Sequence, residues 1–186
     1  MKPEQDQQLV KEFPLLYADR FGSMQETCMC WGFSCGSGWY KLIYDLSAKL
    51  EPLIAAMPEA CQCSTNGVNH PRHEGECPLC IDKTWEWKGE ISPANCPKFY
   101  DLRPKASQVK EKYGTLRFYM TTSTDEMDKL IDEAEAASAT ICEDCGAPGE
   151  TRGGGWIRTL CDVCLAEERK INAKYLKEMR EKREKM

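Results

Sequence analysis

Two Cys-x-x-Cys pairs near the C-terminal end restrict what this chain can fold into more than any other feature. Cys142 and Cys145 form the first pair, Cys161 and Cys164 form the second, and fifteen residues separate the pairs. Two intervening residues let both sulfurs of a pair reach one point about 2.3 Å away, and a gap of roughly 15–20 residues lets a hairpin return the second pair to the first. The spacing therefore predicts a four-cysteine zinc centre with no open coordination position, which is structural rather than catalytic.

The residues around these pairs predict a finger made of a knuckle, a hairpin and a helix. Gly146 follows the first pair, where the backbone must turn toward sulfur, and Gly153, Gly154 and Gly155 suit a hairpin tip. The second pair opens a segment of helical character, whose positive N-terminal end favours thiolate. This order is typical of a treble-clef finger, with a zinc ribbon as the alternative.

The composition indicates a soluble protein of a reducing compartment. No run approaches the roughly 18 apolar residues of a membrane helix, and the first residues lack an apolar signal core. Twelve cysteines in such a compartment indicate metal ligands rather than disulfides. We therefore expect a cytoplasmic protein with no membrane contact. Its net charge of −5 argues against broad, non-specific nucleic-acid binding, although direct contact through a local basic strip stays open.

Residues 57–100 form a second cysteine-rich segment, which contains both histidines of the chain. Cys77, Cys80 and Cys96 repeat three quarters of the C-terminal spacing, again with fifteen residues before the last cysteine. A polar segment of this length is uncommon without a stabilising element, and a bound metal can supply one. We therefore predict a second zinc site here. Its fourth ligand is His73 or one of three alternatives in the same segment: His70, Cys61 and Cys63.

Three further cysteines lie close together in the first part of the chain. Cys28, Cys30 and Cys35 fall within eight residues, and they allow a third metal cluster with a remote fourth ligand. The alternative is a tight turn, in which glycines permit positive φ angles and small thiols are buried beside two tryptophans. The lack of an adjacent fourth ligand favours the turn. We therefore expect two zinc ions, within a range of one to three.

Periodicity predicts an α+β core. Residues 39–56 carry an apolar stripe at helical spacing, and residues 109–120 alternate as a hairpin that turns at Gly114. Ser123 to Glu126 form a capping box that opens a further helix. The expected fold is a small antiparallel sheet with two or three helices, a C-terminal finger and a metal-stapled insertion.

The predicted organisation has four parts. They are an α+β core of residues 1–56 with 101–141, an insertion of residues 57–100, a four-cysteine finger of residues 142–168, and a charged helix of residues 169–186. Within the core, basic and aromatic groups interleave on the hairpin, and such a set can contact a partner. These candidate partner-binding residues are Lys110, Lys112, Arg117 and Tyr119.

Three stretches of the chain carry a family resemblance: residues 29–40, 109–119 and 142–164. Together they resemble a family of small zinc-finger proteins encoded by bacteriophages and prophages. The resemblance implies a bacterial cytoplasmic setting during infection or lysogeny, and a role in acting on host machinery or host defence. The resemblance supplies no activity that can be transferred to this chain.

Three functions fit these features, and a non-enzymatic zinc-binding adaptor or inhibitor that engages a host protein or nucleoprotein complex fits best. A nucleic-acid-binding regulator is the alternative, which the acidic finger disfavours. A metal-dependent nuclease of the His-Asn-His type is a second alternative, because Asn69, His70 and His73 lie just before a cysteine pair. Since the chain has two histidines, using one on zinc leaves little for a general base. We expect no enzymatic activity.

Overall fold

The fold is seen in a computed structural model that describes residues 1–57, 103–153 and 156–184. The chain divides into two compact units, one of Met1–Pro52 with Lys105–Met186 and one of Leu53–Pro104. Most of the predicted insertion lies outside the described residues. So do all of its candidate ligands, which are Cys61, Cys63, His70, His73, Cys77, Cys80 and Cys96.

The described part of the chain contains four α-helices: α1 (Pro3–Glu12), α2 (Tyr40–Ala55), α3 (Asp125–Ser138) and α4 (Asp162–Glu184). Short 3-10 turns lie at Cys28–Trp31 and Ser37–Trp39. The predicted stripe of α2 is confirmed, since Ile43, Leu46 and Leu50 are buried on it. α3 begins one residue later than its capping box suggested, because the hydroxyl of Thr124 rather than Ser123 accepts the hydrogen bond from the N–H of Met127.

Five strands form two small sheets in the described residues. β1 (Phe33–Ser34), β2 (Ala106–Lys112) and β3 (Thr115–Met120) form one sheet in the order β1-β2-β3, while β4 (Glu150–Arg152) pairs with β5 (Arg158–Leu160). The α+β class is thus confirmed. The first sheet is mixed rather than antiparallel, because β1 runs parallel to β2. A parallel pair needs a long crossover connection, and α2 lies in the connection between these two strands.

The hairpin of β2 and β3 turns through two residues that both have positive φ angles. Tyr113 has φ 54° and Gly114 has φ 80°, as a two-residue type I′ turn requires. Glycine adopts this conformation freely, but a tyrosine there is uncommon. The carboxylate of Glu111 accepts a hydrogen bond from the N–H of Gly114 at 2.6 Å and fixes the turn.

One face of the first sheet packs onto aromatic residues from the first part of the chain. The ring of Tyr17 contacts Phe33 at 5.0 Å and Phe118 at 6.4 Å between centroids. Burial raises the pKa of Tyr17, and its hydroxyl shares a hydrogen bond of 2.7 Å with Ser47 of α2. Sheet and helix are therefore joined by packing and by a satisfied buried polar pair.

α3 lies along the free edge of β3 and occupies its outward N–H groups. The N–H of Leu116 donates to the hydroxyl of Ser138, and the N–H of Phe118 donates to the carboxylate of Glu135, both at 2.8 Å. An open strand edge is a template for pairing with another chain, and side chains of a covering helix remove that template. Ser138 is fully buried, and among the described residues its hydroxyl is the acceptor for the N–H of Leu116.

Replacing Ser138 with alanine should lower the free energy of unfolding by about 1–3 kcal/mol, because it leaves the buried N–H of Leu116 without an acceptor. Urea unfolding followed by circular dichroism measures this loss. Ser34→Ala makes the same chemical change at an exposed position of β1 and should change stability by less than about 0.5 kcal/mol. Equal losses in the two variants would contradict the edge-capping role.

Candidate metal centre

The structure brings together the four cysteines of the C-terminal pairs. The sulfurs of Cys142, Cys145, Cys161 and Cys164 all lie within 4.8 Å of one another, and those of Cys145 and Cys161 are 3.7 Å apart. A tetrahedral site with Zn–S bonds of about 2.3 Å needs sulfur separations of about 3.8 Å. The cluster is therefore compatible with one zinc ion, held by four sulfurs.

Three local structures deliver these cysteines to one point. Cys142 and Cys145 lie on a turn after α3, which Gly146 completes at φ 78°. The hairpin of β4 and β5 then carries the chain back to Cys161, and Cys164 lies in the first turn of α4. The N–H of Cys164 points to the sulfur of Cys161 at 3.4 Å, and this bond, together with those from the neighbouring thiols, lowers the pKa of the Cys161 thiol to about 7. Burial raises the pKa of the Cys164 thiol. A lowered pKa favours the thiolate that a metal needs.

The knuckle is docked on a glycine-containing loop from the first part of the chain. The N–H of Gly38 donates to the carbonyl of Glu143 at 2.7 Å, and the indole N–H of Trp39 donates to the carbonyl of Ile141 at 2.8 Å. The N–H of Gly36 donates to the carboxylate of Glu143 at 2.9 Å. The two backbones are so close that a Cβ on Gly36 would lie 2.3 Å from the carbonyl oxygen of Glu143. Glycine is therefore required on the loop side of this contact.

Glu143, between the two cysteines of the knuckle, is buried with all its polar groups paired. Its backbone N–H donates to the carbonyl of Thr159 at 2.9 Å, and its carboxylate pairs with the guanidinium of Arg158 at 3.1 Å. Arg158 also contacts the carboxylates of Asp144 and Glu168. Because only 7% of the Glu143 side chain is exposed, this carboxylate depends on Arg158 for its compensating charge.

A second contact joins the finger to the core hairpin. The hydroxyl of Thr159 on β5 donates to the carbonyl of Gly114 at 2.6 Å. A Cβ on Gly114 would lie 3.2 Å from the side chain of Ile157, so the two hairpin tips are in close contact. The finger thus belongs to the same compact unit as the first sheet and is not a separate appendage.

Sequence reasoning did not identify the residues that dock the finger. One sequence feature could have indicated a close backbone contact: two glycines and a tryptophan follow Cys35 in the run from Gly36 to Trp39. Glu143 is 107 residues away from Gly36 in the chain, and its position between two ligands gave no sign of this partner.

The three cysteines of the predicted third cluster do not come together as a ligand group among the described residues. Cys28 is exposed and Cys35 is buried, although they are close in sequence. Burial raises the pKa of the Cys35 thiol to about 12. Cys30 lies in a 3-10 turn, and its backbone carbonyl accepts a hydrogen bond from the guanidinium of Arg20. The turn alternative therefore describes this segment.

The predicted partner-binding residues lie together on one face of the first sheet. Strand register pairs Lys110 with Arg117 and Gln108 with Tyr119, and it pairs Lys112 with Thr115. We call this face, which is opposite the side that packs on Tyr17, the outer face. Its six residues are Gln108, Lys110, Lys112, Thr115, Arg117 and Tyr119.

No known family model, curated protein or solved structure matches this chain. Within the described residues, each helix is too short or too polar to cross a lipid bilayer.

Replacing Gly38 with alanine should destabilise the protein by at least about 2 kcal/mol, because the new Cβ would lie 2.2 Å from the carbonyl oxygen of Cys142. Urea unfolding of the zinc-loaded protein measures the loss. Gly153→Ala is the matched control, since no atom lies within 4 Å of a Cβ at that position. We expect the control to stay within about 0.5 kcal/mol of the parent, and similar unfolding midpoints for both variants would contradict the docking contact.

Proposed function

We propose that this protein is a non-enzymatic, zinc-stabilised adaptor that engages a host protein or nucleoprotein complex in a bacterial cytoplasm. The observation that carries the proposal is the cluster of four cysteines, which lies in the same compact unit as the first sheet. Four sulfurs take all four positions of a tetrahedral zinc ion, so the metal has no position for substrate or water. Such a metal organises a surface rather than performing a reaction.

The finer features of the proposal come from the sequence. The order of knuckle, hairpin and helix supports a treble-clef finger around the zinc ion. The motif resemblance to phage and prophage proteins supports a role in acting on host machinery. A second zinc ion in the insertion, held by Cys77, Cys80, Cys96 and His73, follows from the repeated spacing alone.

Exposed aromatic groups on the finger supply a contact surface for a protein partner. Trp156 is 73% exposed and Tyr113 is 70% exposed, and they lie on the two hairpin tips that meet at Gly114. Tryptophan and tyrosine are the residues most often found at the energetic centre of protein interfaces. The hydrogen bond from Thr159 to the carbonyl of Gly114 links β5 to the turn that carries Tyr113.

Metal analysis should find two zinc ions in the parent protein and one in Cys145→Ser, which removes one of four ligands from the C-terminal cluster. Cys28→Ser is the matched control, because Cys28 is exposed and lies outside that cluster. Cys77→Ser should likewise retain one ion. A parent protein with one zinc ion would refute the insertion site, and full loading of Cys145→Ser would refute the C-terminal one.

Capture from nuclease-treated bacterial lysate tests the adaptor role. The full-length, zinc-loaded protein should retain one partner in stoichiometric amount, and Trp156→Ala should weaken the retention about tenfold or more. Phe21→Ala, which removes another highly exposed aromatic ring, should behave as the parent does. Failure to retain a stoichiometric partner under several salt conditions would contradict the proposal.

A second candidate function is direct nucleic-acid binding by a small regulator. The observation that favours it is the outer face, which carries bases and an exposed tyrosine but no acid.

A further inference from the structure

The outer face has a charge opposite to that of the protein as a whole. The chain has a net charge of −5, yet the six residues of this face include three bases and no carboxylate. Glu111, which lies between two of the lysines in sequence, faces the other side, where it binds the N–H of Gly114. The one acidic side chain of the hairpin is thus kept away from this face.

The three bases on this face lie close together, and among the described residues only Arg117 forms an ion pair. Lys110 and Arg117 lie directly opposite each other on β2 and β3, and like charges in that position repel. Arg117 is compensated by Glu135 of α3 at 3.2 Å. Among the described residues, neither Lys110 nor Lys112 has a carboxylate within ion-pair distance. An anionic ligand would relieve this repulsion.

Each lysine is instead placed beside an aromatic ring. The ammonium of Lys110 lies 5.5 Å from the ring centre of Tyr119, and that of Lys112 lies 5.5 Å from the ring centre of Tyr113. Tyr119 is 40% exposed and Tyr113 is more exposed still. The hairpin therefore presents two units that each combine one positive charge with one accessible ring.

We propose that the outer face, together with Tyr113 of the adjoining turn, binds single-stranded nucleic acid. Lys110 and Lys112 contact successive phosphates, because side chains two residues apart on a strand point to the same side. The rings of Tyr119 and Tyr113 stack on unpaired bases, an interaction that every base can make. This inference rests on the proposed role as a binding protein, and it names the nucleic acid that such a protein engages.

The combination of rings and charges favours a single strand over other anionic partners. Bases of a duplex are stacked on each other and paired, so a flat sheet face cannot reach their ring planes. An acidic peptide would engage the lysines through charge, but it has no bases to stack on the two tyrosine rings. A single strand uses both kinds of group at once.

Fluorescence polarisation with labelled single strands of about 12 nucleotides, DNA and RNA, tests the assignment over a salt series. Lys110→Gln/Lys112→Gln should weaken binding about tenfold and reduce the slope of log affinity against log salt by roughly 1.4, as expected for two lost phosphate contacts. Lys49→Gln/Lys129→Gln makes the same charge change at exposed positions on α2 and α3, and affinity should stay within about twofold. Tyr119→Leu should weaken binding about tenfold with the salt slope unchanged.

Several results would overturn the inference. They are the absence of binding at about 50 mM salt, equal losses in the control pair, and equal affinity for a blunt duplex of the same length. Poly-glutamate that binds as tightly, with the same sensitivity to the lysine variants, would assign the face to an acidic peptide instead. Zinc content and near-ultraviolet circular dichroism, equal to the parent's, show that each variant is folded.

Protein capture by Lys110→Gln/Lys112→Gln, compared with oligonucleotide binding by the parent, distinguishes failure of the adaptor proposal from failure of the nucleic-acid inference. If Lys110→Gln/Lys112→Gln still captures the protein partner while single strands fail to bind the parent, the nucleic-acid inference alone is wrong. If oligonucleotides bind as expected but no protein partner is captured, the adaptor role is wrong and the regulator remains.

Discussion

The contact between the knuckle backbone and the loop from Gly36 to Trp39 is the constraint on which the rest of the structure depends. It joins residues more than a hundred positions apart through hydrogen bonds from two glycine N–H groups and one indole N–H. The backbones approach so closely that no side chain fits between them. The knuckle also carries two of the four clustered sulfurs, so a metal ion bound there would be coupled to this packing.

Charge balance around the cluster explains why Arg158 has several acidic partners. Glu143 and Asp144 place two negative charges in the knuckle, between the clustered cysteines Cys142 and Cys145. Arg158 bridges both carboxylates and also reaches Glu168 on α4. Arg152 plays a similar part toward Asp162 at the start of α4. Arg152 and Arg158 of the finger therefore form ion pairs with acidic groups of the finger itself. On the outer face of the first sheet, by contrast, Lys110 and Lys112 have no carboxylate within ion-pair distance among the described residues.

Local patterns predicted much of the fold, and long-range contacts accounted for the differences. The stripe of α2, the hairpin around Gly114 and the ligand spacing are all short-range features, and each is present in the structure. β1 could not be predicted, because two residues carry no periodicity and its parallel pairing with β2 depends on a distant strand. For a similar reason, Cys28, Cys30 and Cys35 form no ligand group in the described part of the chain. Proximity in sequence does not decide which thiol is buried in a turn.

The sequence by itself predicted the cluster of four cysteines, because the geometry of two Cys-x-x-Cys pairs depends mainly on residues close in the chain. It also determined the alternation that separates the buried and outer faces of β2 and β3, since side chains alternate on any strand. Only the tertiary structure decided that the finger is part of the core and that Glu143 is its buried link. It did so because hydrogen bonds between distant backbones form only after both segments are folded and packed.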